Sequence, residues 1–129
     1  MSIESALRTF LLDDATVAGL VGTRIYPQIL PQNPTYPALS FQRVSAVRLR
    51  ALDGVVGVAQ ARFQIDCWAL TYAQCRALAS AVRVRLDGYR GDMDGIHVGA
   101  TTLENDQDIY EDDVTGYRAS LDVIIQHQE

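Results

Sequence analysis

The apolar positions of the chain change period several times, and each change marks an element. Over residues 2–12, "SIESALRTFLL", Ile3, Leu7, Phe10 and Leu11 fall on one face of a 3.6-residue period, which predicts a helix. Asp14 is placed to cap a short second helix over "ATVAGLVG", with Gly22 at its end. All four prolines then occur within "PQILPQNPTYP". Proline has no amide donor and biases the residue before it away from helix, so an extended connection is expected there.

A period of two begins at residue 38. "ALSFQRVSAVRLRAL" reads as a long strand whose phase slips, with Leu39 and Phe41 on one parity and Val44 and Ala46 on the other. A bulge near Gln42–Arg43 would reconcile them. Asp53-Gly54 is a hairpin signal, so residues 56–69 are the expected partner strand. With that turn Ala46 faces Ala61, Val44 faces Phe63, and the bulge brings Phe41 onto the face of Ile65 and Cys67. In "ARFQIDCWA" Ala61, Phe63, Ile65, Cys67 and Ala69 point one way, and Arg62, Gln64, Asp66 and Trp68 the other. This is the pattern of a half-buried antiparallel strand.

The period then returns to that of a helix. Thr71 and Gln74 have the spacing of a capping box. The helix is expected to run to about Leu86, with Tyr72, Cys75, Leu78, Ala79, Val82 and Leu86 inward. Gly88, Gly91 and Gly95 suggest a flexible loop. Strands are expected near 96–104 and 117–126, the second with Tyr117, Ala119, Leu121, Val123 and Ile125 inward and Gly116 in the turn before it. The fold class is α+β: one domain over residues 1–129, with a single antiparallel or mixed sheet. A long hairpin and two main helices packed on one face complete it, in the order α-β-β-α-β-β.

Composition sharpens this picture. Apolar residues make up 48% and charged residues 21%, as in an ordinary globular domain. No apolar run approaches the roughly 18–20 residues of a membrane span. The first residues lack the basic region and cleavage site of a signal peptide, so a reducing compartment and free thiols are expected for Cys67 and Cys75. All 11 basic residues are arginine, which excludes Schiff-base and P-loop chemistry through lysine. The net charge of −5 argues against general affinity for nucleic acid. The charge is also uneven. Residues 1–64 carry 6 Arg against 4 acids, and residues 65–129 carry 5 Arg against 12 acids.

Candidate chemistry is sparse. Cys67 and Cys75 could be a metal or redox pair, but both fall on inward positions, where cysteine behaves as a small hydrophobe. Asp66, Trp68 and Arg62 share the outward parity. A catalytic Asp66 would need a second carboxylate or a histidine beside it, and local spacing supplies neither, so an ion pair or a protein contact fits better. "ENDQDIYEDD" has six acids, but Tyr110 and Glu111 stand where a calcium loop needs a ligand and glycine. A solvated acidic edge or docking surface is the better reading of 104–113. "RGD" at 90–92 is too short to carry weight. Motifs for nucleophilic, dinucleotide and zinc chemistry are missing, so no catalytic, metal or cofactor residues are assigned.

The order of these signatures resembles the small tail-completion proteins of long-tailed bacteriophages and prophages, which include tail terminators and tail-to-head joining proteins. The resemblance runs from "DDATVAGLVGTRIYPQILPQ" and "PTYPALSF" through "FQIDCWALTYAQCRALASAVRVRL" to "ENDQDIYEDDVTGYRASLDVII". "DDVTG" departs slightly from the shorter Asp-Thr-Gly-like turn of the family. The resemblance implies a structural, non-enzymatic part of the virion tail, assembled in the host cytoplasm without a cofactor. It also implies a ring, commonly a hexamer, that caps the head-proximal end of the tail tube and stops its growth. Such a ring meets the tube protein on one side and the head connector on the other, while DNA passes through its bore without specific binding.

A head-to-tail ring needs two different complementary patches on each copy. The candidates are Arg48 and Arg50 on the hairpin, the outward Arg62, Asp66 and Trp68, and the acidic Asp108, Glu111 and Asp112. Two other readings remain open. One is a head-completion or adaptor ring. The other is a small intracellular enzyme or ligand-binding domain using Asp66 and the acidic 104–113 region, which would need a deep apolar pocket with convergent carboxylates.

Overall fold

A computed structural model of the chain describes residues 2–51, 54–111 and 116–128. Helix α1 spans Ile3–Leu12 and α2 spans Ala15–Val21. Strand β1 (Ile25–Pro27) leads to β2 (Ala38–Ala51) and β3 (Gly54–Ala69). Helix α3 (Tyr72–Leu86) precedes β4 (Gly91–Met93), β5 (Ile96–Glu111) and β6 (Gly116–Gln128). The six strands form one sheet in the order β1-β2-β3-β6-β5-β4. Only the β1–β2 pairing is parallel, so the sheet is mixed and the α+β class holds.

The caps follow the sequence. Asp14 accepts a hydrogen bond from the Val17 amide, and Gly22 ends α2 at a positive φ of 61°. Thr71 Oγ1 accepts from the Gln74 amide at 3.2 Å. Thr71→Ala should therefore cost about 1 kcal/mol of stability, read as a shifted urea midpoint with an unchanged slope. A shift within the error of replicate melts would show that the cap contributes nothing.

One core joins the helices to one face of the sheet. Ala61, Phe63, Ile65 and Cys67 are fully buried, as are Leu121, Val123 and Ile125 of β6. They pack with Leu7, Leu11, Val17, Leu78 and Val82. Cys67 and Cys75 are free and buried within it, and burial pushes both thiols above their ordinary pKa. Phe41 pairs with Ile65 and Ala46 with Ala61, as the parity predicts.

Several expectations are corrected. The bulge lies at Val44, between Arg43 and Ser45, and a second irregularity lies between Arg48 and Arg50. Arg43, and not Val44, is opposite Phe63, and Val44 is left exposed. Arg43 is tolerated on the helix-covered side because Glu4 of α1 pairs with it at 3.1 Å. Tyr72, the first residue of α3, is half exposed, its ring edge-on to Tyr117 above the β5–β6 end of the sheet. Its hydroxyl donates to the Asp108 carboxylate at 2.9 Å.

The proline-rich connection hides an edge strand, β1, held beside β2 by the Leu39 amide donating to the Arg24 carbonyl. Residues 88–95 are not simply a loop. Gly91–Met93 pairs with β5, and Asp94 and Gly95 close the turn with φ of 49° and 89°, the backbone of a tight hairpin. The acidic stretch is also strand. β5 continues to Glu111, so Asn105 to Glu111 run in register with β6, with Glu104 at a bulge. Asp53 of the expected hairpin turn lies outside the described residues, and Gly54 pairs with Ala51.

Candidate functional site

Register places the candidate residues at opposite ends and edges of the sheet. Ala46, Ala61, Ile125 and Thr101 lie on one line across β2, β3, β6 and β5. From that line the β2–β3 hairpin carries Arg48, opposite Ala59, and then Arg50, opposite Val55, one way; Arg50 is past Val58, the last described residue of β3 to pair with β6. The β5–β6 hairpin runs the other way, toward Tyr110 and Glu111. The basic arm and the acidic tip therefore point apart. Arg48 is exposed, and Arg50 and Glu111 are placed by their strand register. Asp112 lies outside the described residues.

The acidic strand divides its residues between two faces. Asp106 and Asp108 are opposite Leu121 and Ala119, on the helix-covered side. Arg76 of α3 reaches over them, binding both oxygens of Asp106 at 2.8 and 2.9 Å and one of Asp108 at 2.8 Å. The hydrogen bonds that Arg76 donates to Asp106 lower the Asp106 pKa and raise that of Arg76. The hydrogen bond to Asp108 raises the Tyr72 phenol. Tyr72 and Tyr110 both stack edge-on against Tyr117, with centroids 5.7 and 5.2 Å apart. Sequence reasoning missed Arg76. The two-residue spacing of Asp106 and Asp108 signals that both side chains share one strand face, but only the packing of α3 against β5 puts an arginine above them.

Among the described residues the other face of the sheet carries no helix. There Arg62 pairs with Asp122 at 2.7 Å and Glu104 at 3.4 Å. Asp66 is outward, as expected, but only 8% exposed. Both its oxygens accept from the Gln64 amide at 3.2 Å, and Arg118 lies 3.5 Å away. The Trp68 indole donates to Ser40 Oγ at 3.0 Å, and the Arg118 guanidinium sits 5.3 Å over its ring. Asp66 and Trp68 thus share one groove of about 310 Å³, walled by Ile29, Leu30, Pro31 and Tyr36. Asp66 is the sole carboxylate among its described lining residues. The groove lies between the proline-rich segment and the sheet; convergent carboxylates, which acid–base chemistry here would need, are not brought together in it. No group of three His, Cys, Asp or Glu side chains able to hold a metal ion occurs among the described residues. Among those residues no helix is long and apolar enough to cross a membrane.

The architecture is that of a known virion subunit. A chain from the virion of a native gene transfer agent particle superposes with a TM-score of 0.81 over 99% of this chain and 96% of that chain, at 20% identity. No curated protein matches. The family of the tail completion protein gp17 matches residues 5–128, and the chain belongs to that family. It is a structural protein of a phage-type tail.

Proposed function

We propose that the protein assembles head to tail into a ring of six that caps the head-proximal end of the tail tube. In this reading the ring stops tube growth and offers its other side to the head connector, and DNA passes through the bore. The observation that carries the reading is the separation of opposite charge. Arg48 and Arg50 lie on a hairpin at one end of the sheet, and the acidic β5–β6 hairpin lies at the other. A single copy cannot bring these together, whereas the next copy in a ring can. Glu104, Asp106 and Asp108 have internal arginine partners, so the neighbour's arginines add to pairs already made along β5. Arg62 and Asp66 hold the uncovered face in shape, and Trp68 supplies its apolar surface. The net charge of −5 favours passage of DNA over retention.

Charge reversal tests the contact. Arg50→Glu should weaken ring formation at least about tenfold, or ~1.4 kcal/mol per contact. Native mass spectrometry and negative-stain microscopy, with tail tube protein present and absent, read the outcome. Rings that survive Arg50→Glu unchanged would refute this interface.

A further inference from the structure

Both edges of the sheet are left open over one long stretch each. β1 covers β2 only at Leu39–Phe41, so the strand pairings leave the outer edge of β2 uncovered from Gln42 to Ala51. On the opposite side β4 covers β5 at Ile96–Val98. The loop after α3 covers a little more, since the Gly88 amide donates to the Thr101 carbonyl and Asp87 accepts from the Leu103 amide. From Glu104 to Glu111 the edge of β5 has no partner strand among the described residues. A long open edge is a template for another strand, and soluble proteins normally blunt it. Val44 and Val47 on the open part of β2 are also more than half exposed.

We propose that the neighbouring copies join by strand addition, the open edge of β2 in one copy pairing with the open edge of β5 in the next. The inference rests on the ring reading and states what its contact is. Charge selects the partner. The open edge of β2 bears Arg43, Arg48 and Arg50 and no acid; that of β5 bears Glu104, Asp106, Asp108 and Glu111 and no base. Arg62 and Arg76 offset part of the β5 charge from outside the strand, and Glu4 of α1 offsets Arg43 of β2. Pairing β2 with β2, or β5 with β5, sets like charges opposite one another, which is destabilising. The unlike pairing is the only attractive one, and it is head to tail, so it produces a ring or a filament and not a two-fold dimer.

Direction and offset agree with a ring. Within the sheet β2 and β5 run antiparallel, so a copy related by rotation presents its β5 antiparallel to β2. The open part of β2 centres near Ala46, level with Thr101. The open part of β5 centres near Gln107, about five residues further along once its bulge is discounted, or ~17 Å at ~3.3 Å per residue. β2, β3, β6 and β5 span ~19 Å per copy at ~4.8 Å per strand. The two offsets give a strand tilt of about 40°, within the ~35–45° of closed barrels. Six such steps of ~26 Å close a ring ~50 Å across the sheet. At this offset β1 of one copy lies beyond the tip of the neighbour's β5, and the neighbour's β4 lies beyond the arm. The two short strands therefore cap what the joint does not use.

Backbone protection distinguishes strand addition from contact through side chains alone. Hydrogen exchange read by mass spectrometry should compare assembled rings with the Arg50→Glu chain. Peptides covering 42–51 and 104–111 are both expected to exchange at least tenfold more slowly in the ring. Rings whose two edges exchange as freely as in the unassembled chain would overturn strand addition while leaving the ring itself standing. A chain that forms no ring, alone or with tube protein, fails by mass alone, and both readings fall. Ala46→Pro supplies a second measurement. Leu39 donates, and Phe41 accepts, away from β3. Past the bulge at Val44 this phase passes to Ala46 and Arg48, so the variant removes an outward amide and spares the ladder to β3. It should keep the circular dichroism of the parent and lose ring formation. Normal assembly by a folded Ala46→Pro chain would also overturn the proposal.

Discussion

Phe63→Ala is expected to lower the unfolding free energy by about 3–5 kcal/mol, the largest single loss available in this chain. Phe63 is the largest completely buried side chain among the described residues. It sits midway along β3, opposite Val123 of β6, with its ring centroid 6.3 Å from that of Phe41. Truncation removes the transfer energy of the ring and leaves a cavity under α1–α3 that two paired strands cannot collapse to fill. Calorimetry should show a melting temperature lower by roughly 10–20 °C. Leu70→Ala, at an exposed apolar position, is the control and should stay within about 0.5 kcal/mol of the parent. Equal effects from the two variants would contradict the description of the core.

Arg76→Met should cost about 1–2 kcal/mol near neutral pH, and the cost should depend on pH in a defined direction. The arginine tail is kept as packing; what is lost is the fork that joins Asp106 to Asp108 and, through Asp108, to Tyr72. In the parent, hydrogen bonds from Arg76 lower the Asp106 pKa. A carboxyl whose pKa is lower in the folded than in the unfolded state stabilises the fold above its unfolded value near 4. That stability is lost as pH falls through the folded value. The gap between parent and variant should thus be full at about pH 7 and shrink in the acid range below about pH 4. Urea melts at both ends of this range measure it. A gap that stays constant with pH would mean that Arg76 acts only through packing.

The half-buried elements were legible because their apolar residues keep one period. Ala61 to Ala69 gave the face of β3 correctly, and Cys75 to Leu86 gave that of α3. Thr71, Asp14 and Gly22 marked real helix ends. β5 was legible only to Glu104. Beyond it the residues that alternate inward are Asp106, Asp108 and Tyr110, and a hydrophobicity pattern reads charge as loop. β1 was hidden for a related reason, because prolines suppress a strand signal even where an edge strand tolerates them. Tyr72 fitted the inward helical period but, at the first helical position, lies over the polar end of β5, where its hydroxyl meets Asp108 and half of it stays exposed.

By itself the sequence determined the α+β class, the place of both cysteines in the core and the family. Those rest on local periods, caps and the order of signatures, all of which are properties of chain neighbours. Only the tertiary structure decided that Arg76 pairs with Asp106 and Asp108, that Asp66 is enclosed by Gln64 and Arg118, and that β2 and β5 lie on opposite sides of the sheet with open edges. These depend on which segments meet after folding. Strand order and helix docking are long-range choices made by burying one shared core, and no spacing along the chain records them.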